Sequence, residues 1–274
     1  MGTRIVMLAA AAVLVAQNSS SADDGSAPDA RRIVEQSIAA TEKSWQARDH
    51  HAYMARDQDR RLDVTGQVIS EDVDVSRIIF VNGSPFEQLL EHNGRPPSAE
   101  AQRKQQQKLD KLKRETPEQR ATRLRKQDEE RSFIREVPAA FDFQLIGEEV
   151  VNGMPAYVLQ ATPRPGYEAH GRYGRMMSKV EGKLWIDKQD SGWIKVDGQV
   201  TQPFSMGLFL ARVLRGSRIT MEQTRVADKL WMPERIEVRA AAKLFFVKSL
   251  VIDRILTYSD YRSVPKSVSA TVWR

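Results

Sequence analysis

The chain has 274 residues, 41% hydrophobic and 28% charged, with 42 Lys+Arg against 36 Asp+Glu and a formal net charge of +6. That length suits one large domain, or at most two, and the balance of apolar and charged residues excludes a mainly disordered chain. The absence of cysteine excludes disulfide scaffolds, thiolate metal sites, cysteine nucleophiles and a lipid-modified N-terminal cysteine.

Residues 1–22 have the layout of an export signal. Arg4 is followed by the apolar run Ile5 to Ala16, a polar stretch, and the small residues Ser20 and Ala22 where a signal peptidase needs them. The apolar run is too short to span a bilayer, which takes about 20 residues. A buried N-terminal helix is the alternative, and the Ser-rich, acidic sequel Ser19–Ser26 argues against it. Cleavage is expected after Ala22, with Ala16 as the second choice. The mature chain, residues 23–274, is expected to be periplasmic, without a membrane span.

Ser26 to Arg48 is expected to be an amphipathic helix, because Ala30, Val34, Ser37, Ile38, Thr41 and Trp45 fall on one stripe. Pro28 and Asp29 suit its first turn. From Ala52 the period changes to two. Leu62, Val64 and Val68 share a parity across Thr65–Gly66, and Val73, Val75, Ile79 and Val81 alternate with Asp72, Asp74 and Ser76. Asn82–Gly83 and Asn93–Gly94 are tight-turn signals around a strand at Pro85–Glu91.

Ser98 to Phe133 differs from its surroundings. Its charges of both signs are interleaved, and its large apolar residues are few: Leu109, Leu112, Leu124 and Phe133. Thr116-Pro117-Glu118-Gln119 matches an N-cap, a proline at the first helical position and a capping-box glutamine. The segment is expected to be a solvated helical hairpin or kinked helix inserted between strands, carrying i,i+4 ion pairs. A nucleic-acid-binding arm is disfavoured by the interleaved acids and the lack of aromatics before Phe133.

Strands resume after Pro138. Phe141, Phe143 and Leu145 alternate with polar residues, and Asn152–Gly153 turns the chain into Tyr157, Leu159 and Ala161. Further strands are expected at Val180–Asp187, at Ile194–Val200, around Ile219 and Met221, at Leu230–Val238, and from Phe245 to Tyr261. Short turns between them imply an antiparallel sheet of nine or ten strands, without internal repeats.

Three phrases carry a family resemblance. Glu181-Gly182-Lys183-Leu184-Trp185-Ile186-Asp187, then Lys229-Leu230-Trp231-Met232-Pro233, then Tyr258-Ser259-Asp260-Tyr261 resemble the LolA-like outer-membrane lipoprotein-sorting superfamily. That resemblance implies a mainly β fold: a strongly curved, unclosed antiparallel half-barrel, with helices across its concave side and an apolar hollow that takes acyl chains. The insertion, and Lys229 in place of a glycine, depart from the family pattern. The missing N-terminal cysteine places the chain nearer the soluble carriers than the acceptor lipoproteins.

The residues expected to line a lipid-binding hollow are Trp45, Phe80, Phe143, Trp185, Met221 and Phe245; core packing is the competing role for aromatic residues on these strands. His50, His51, His92 and His170 are dispersed and read as surface residues rather than metal ligands. Asp72 and Asp74 share a strand face, read as solvated rather than cation-binding. No nucleophile elbow or phosphate loop is present, so neither an enzyme nor a cofactor is implied. The expected function is that of a monomeric periplasmic binder or carrier of a lipid or lipidated protein. An envelope sensor or protein-interaction module of the same fold is the alternative, and no nucleic-acid partner is expected.

Overall fold

The computed structural model describes residues 29–48, 50–168, 176–206, 211–244 and 248–264. The expected export signal, Pro28, His170 and Phe245 lie outside them. The first helix, α1 (Ala30–Arg48), starts at Ala30, the first residue of the stripe, rather than at Ser26. The Asp29 carboxylate accepts the Arg31 N–H at 3.0 Å, which places it before the first turn rather than in it. Ile33, Val34, Ser37, Ile38, Thr41 and Ser44 are its buried face, and Trp45 is half-buried.

Among the described residues twelve strands follow in chain order: β1 (His51–Leu62), β2 (Val68–Val81), β3 (Ser84–His92), β4 (Phe141–Val151), β5 (Met154–Pro163), β6 (Val180–Asp187), β7 (Trp193–Val200), β8 (Phe204–Met206), β9 (Ala211–Val213), β10 (Arg218–Ala227), β11 (Leu230–Leu244) and β12 (Lys248–Ser263). The expectation of nine or ten missed β8 and β9, three-residue strands too short to show a period. All the pairings are antiparallel, in the order β3-β2-β1-β12-β11-β10-β7-β6-β5-β4. β3 and β4 are the two ends of this order and do not pair, so the sheet is an unclosed half-barrel. Asn82, Asn93 and Asn152 take φ near +50° ahead of their glycines, the backbone that two-residue hairpins require.

Two parity expectations are corrected. On β2 the alternating valines do not form the better-buried set: Ser76, Ile78 and Phe80 are buried, and Asp72 and Asp74 share their parity. On β7, plain alternation from Ile194 to Val200 puts Ile194 and Val196 on one face. A register shift beside Trp185/Ile186 turns Ile194 to the opposite side, with Trp193 and Val196 facing α1.

The insertion is a helical hairpin, α2 (Ala99–Lys113) and α3 (Pro117–Arg131), and neither helix has a buried residue. Thr116 and Gln119 form the expected capping box. The Gln105 side chain takes the place of a neighbouring strand at β3: it accepts the Leu89 N–H at 2.8 Å and donates to the Leu89 carbonyl. Arg123 and Gln127 of α3 reach Asn82 and Ser84 at the β2–β3 turn. The hairpin therefore covers a sheet edge that would otherwise offer unpaired backbone groups. Replacing residues 99–131 by a short Gly/Ser bridge should leave the unfolding midpoint little changed, since loop closure costs only about 0.6 kcal/mol per doubling of length. Sedimentation of that variant should show concentration-dependent self-association through β3, whereas unfolding of the sheet would show that Leu109, Leu112 and Leu124 belong to the core.

Candidate apolar binding site

Helix α1 crosses the half of the sheet that ends at β4. Ile33, Val34 and Ile38 pack against Leu159, Leu184, Ile186 and Trp193, with Ile134 closing the cluster. One polar chain runs through it. The Trp193 indole donates to the Ser37 hydroxyl at 2.7 Å, and Ser37 donates to the Val34 carbonyl at 2.7 Å. A serine on the buried stripe is thus fully hydrogen-bonded, as its burial requires.

Beside this cluster lies a cavity of about 370 Å³. The 3-10 turn Ser132–Glu136 and the short helix α4 (Val137–Ala140) supply Phe133 and Val137, β4 supplies Phe141 and Phe143, and Trp193 and Val196 come from β7. Glu181, Lys183 and Asp197 contribute only carbon to a lining whose accessible surface is apolar. Gly182 and Gly198 are cross-strand partners in the wall. A β-carbon at Gly182 would overlap the Asp197 carbonyl, so the strands approach there as closely as only glycine allows. A cavity of this size is within the usual ligand range, roughly 300–1,000 Å³. At its margin Arg218 pairs with Asp197 and holds that carboxyl below its ordinary value.

Of the expected hollow residues, Phe143 lines the cavity, while Trp45 and Met221 pack on the α1 cluster next to it. Phe80 is buried on β2, in the other half of the sheet. Trp185 packs on the opposite face with Val158, Ile194 and Trp231. The sequence reading missed Phe133, Val137 and Met177. Phe133 carried a usable signal, as the single aromatic that ends a charged segment.

Asp187 and Trp231, from the first two phrases, meet in a second, structural cluster. Asp187 is 2% exposed and accepts the backbone N–H groups of Gln189 and Asp190. Arg225 bonds Asp187 at 2.8 Å and lies over the Trp231 ring, 5.0 Å from its centre. The Trp231 indole donates to Asp190, and a β-carbon at Gly192 would overlap that ring.

No group of three His, Asp or Glu side chains is placed to hold a metal among the described residues. Asp74 bonds His92 at 2.7 Å, and the Asn93 side chain donates to Asp72. Among the described residues no helix is long and apolar enough to cross a membrane.

The unclosed antiparallel half-barrel, with α1 packed on one face, agrees with the fold that the resemblance of the phrases on β6, β11 and β12 implies. No protein-family model and no curated protein matches the chain in sequence. Among solved structures, a DUF1329 family protein from Desulfovibrio piger is similar at 12% identity and a TM-score of 0.35, over 88% of this chain and 97% of that one. A LolA superfamily protein from Nitrosomonas europaea is similar at 13% identity and a TM-score of 0.33, over 88% and 97%. A putative outer membrane lipoprotein-sorting protein domain from Vibrio parahaemolyticus is similar at 10% identity and a TM-score of 0.31, over 86% and 96%.

Proposed function

We propose that this protein is an exported binder or carrier of acyl chains, borne by a lipid or a lipidated protein, and that it works by burial rather than by catalysis. The observation that carries this reading is the apolar cavity between Phe133, Val137, Phe141, Phe143 and Trp193. Burying a methylene is worth roughly 0.8 kcal/mol, so about ten of them could contribute several kcal/mol net once ordering costs are met. A carrier needs a gain of that order to compete with a bilayer. The export signal at residues 1–22 would put the protein among such ligands.

Ile219 offers a clean test, because it lines the cavity and is 45% exposed, so a charge there can stay hydrated when the cavity is empty. Ile219→Glu should weaken binding of a fluorescent fatty acid by about tenfold or more while moving stability by less than about 1 kcal/mol. Unchanged affinity in a folded variant would remove the cavity from the binding site.

A protein-interaction role is the second reading, favoured by the open edge at β4. Val150 there is 73% exposed and Ile146 is 45% exposed. Partner capture that survives Ile219→Glu would favour it.

A further inference from the structure

Next to the apolar cavity the helical layer changes character. Trp45 packs against the α1 cluster, and the Arg131 guanidinium lies over the Trp45 ring at 5.5 Å. Arg131 is two residues from Phe133, which lines the cavity. One turn beyond Trp45, at the end of α1, is Arg48. Its guanidinium donates to the Trp231 carbonyl at 3.1 Å, while its Nε is buried without a partner.

Beneath Arg48, the sheet presents Tyr53 from β1 with Tyr258 and Tyr261 from β12. Their rings are in contact, with centroids 6.0 Å apart for Tyr53–Tyr258 and 5.2 Å for Tyr53–Tyr261. Burial raises the pKa of all three, that of Tyr258 to about 12, so they are neutral donors at physiological pH. Glu87 and Glu234 also reach this group electrostatically, through Tyr53 and Tyr261.

Neither Arg48 nor Arg131 forms an ion pair with a carboxylate among the described residues, although Arg135, Arg218, Arg225 and Arg254 all do. The negative end of α1 and the Trp231 carbonyl offset part of the Arg48 charge. Two neighbouring cations, one of them desolvated, still lack a counter-charge, and burying a charge unpaired is costly. Desolvation lowers the Arg48 pKa from its ordinary value, and repulsion from Arg131 acts in the same direction.

We propose that Arg48 and Arg131 form an anion site at the polar end of the hollow, and that the ligand is an acidic amphiphile. Its acyl tail lies among Phe133, Phe143 and Trp193, and its carboxylate or phosphate head group sits on the two guanidinium groups. Guanidinium suits either head group, since its planar fork can bind two oxygens at once. This assignment rests on the acyl-binding reading of the cavity.

The test compares dodecanol, dodecanoate and dodecyl phosphate, which share one tail, as competitors of a neutral fluorescent acyl probe at neutral pH, with inorganic phosphate as the head group alone. The two anionic amphiphiles should bind about tenfold or more tighter than the alcohol. Arg131→Gln should remove most of that preference, read as the ratio of anionic-amphiphile to dodecanol affinity. Arg48→Gln should do the same, with Arg48→Lys restoring part of it; Arg131, which is only half-buried, keeps the test decisive if the Arg48 variants fail to fold. Equal affinity for all three compounds would overturn the anion site and leave the acyl reading standing. Inorganic phosphate competing as well as dodecyl phosphate would overturn the amphiphile assignment. Failure of all three amphiphiles to bind would overturn the cavity reading and this inference together.

Discussion

Trp231→Ala should lower the stability of the folded chain by about 3–5 kcal/mol, the range for truncating a buried aromatic. Trp231 is 2% exposed and joins Ala156, Val158, Trp185 and Ile194 on the face opposite α1. Three further interactions go with the ring: the stacked Arg225 guanidinium, the hydrogen bond to Asp190, and the contact with Gly192. The backbone of the same residue binds α1 from the other side, with its N–H donating to Ser44 and its carbonyl accepting from Arg48. Losing the ring leaves a cavity between two turns that the backbone still holds, so relaxation can recover only part of the loss. Urea unfolding followed by circular dichroism measures it. A loss below about 1 kcal/mol would mean that the cluster is not a structural centre.

Arg225→Ala is expected to cost about 3 kcal/mol, near the lower end for breaking a buried ion pair. Arg225 reaches Asp187 and Asp190, whose side chains are 1% and 5% exposed. The Asp187 carboxylate keeps two backbone donors after the change, which is why the larger values in that range are not expected. Adding Asp187→Asn should recover part of the loss, because the amide oxygen can still accept those N–H groups without an unpaired charge. Arg225→Ala and Trp231→Ala share a contact, so their costs together should fall short of additive. Full additivity would show that the guanidinium and the indole act independently.

These two residues show how far the sequence could be read. Asp187, Trp231 and Pro233 stood out as parts of recognisable phrases, and their strands, β6 and β11, formed where they were expected to start. Their joint role was hidden, because it depends on two hairpin ends, Asp187–Trp193 and Arg225–Trp231, meeting across the sheet. Trp185 was assigned to the hollow by residue type alone, and strand parity sends it to the other face. Ile194 was lost to a single register shift, which reverses facing without changing composition. The capping box at Thr116 was visible because its groups are three residues apart. The Arg48–Tyr53–Tyr258–Tyr261 group was not, since its members are separated by up to most of the chain and a lone arginine in a helix's last turn reads as a dipole partner.

The cavity's place in function can be tested on the protein as cells make it. Native mass spectrometry of the chain purified from the envelope fraction, with the Ile219→Glu variant prepared in parallel, addresses acyl binding directly. The expected result is wild-type protein carrying an adduct whose mass and fragmentation identify an acyl lipid or a lipidated peptide, with the adduct depleted in the variant. Wild-type protein that emerges empty, and takes up no fatty acid from micelles, would contradict acyl binding in the hollow.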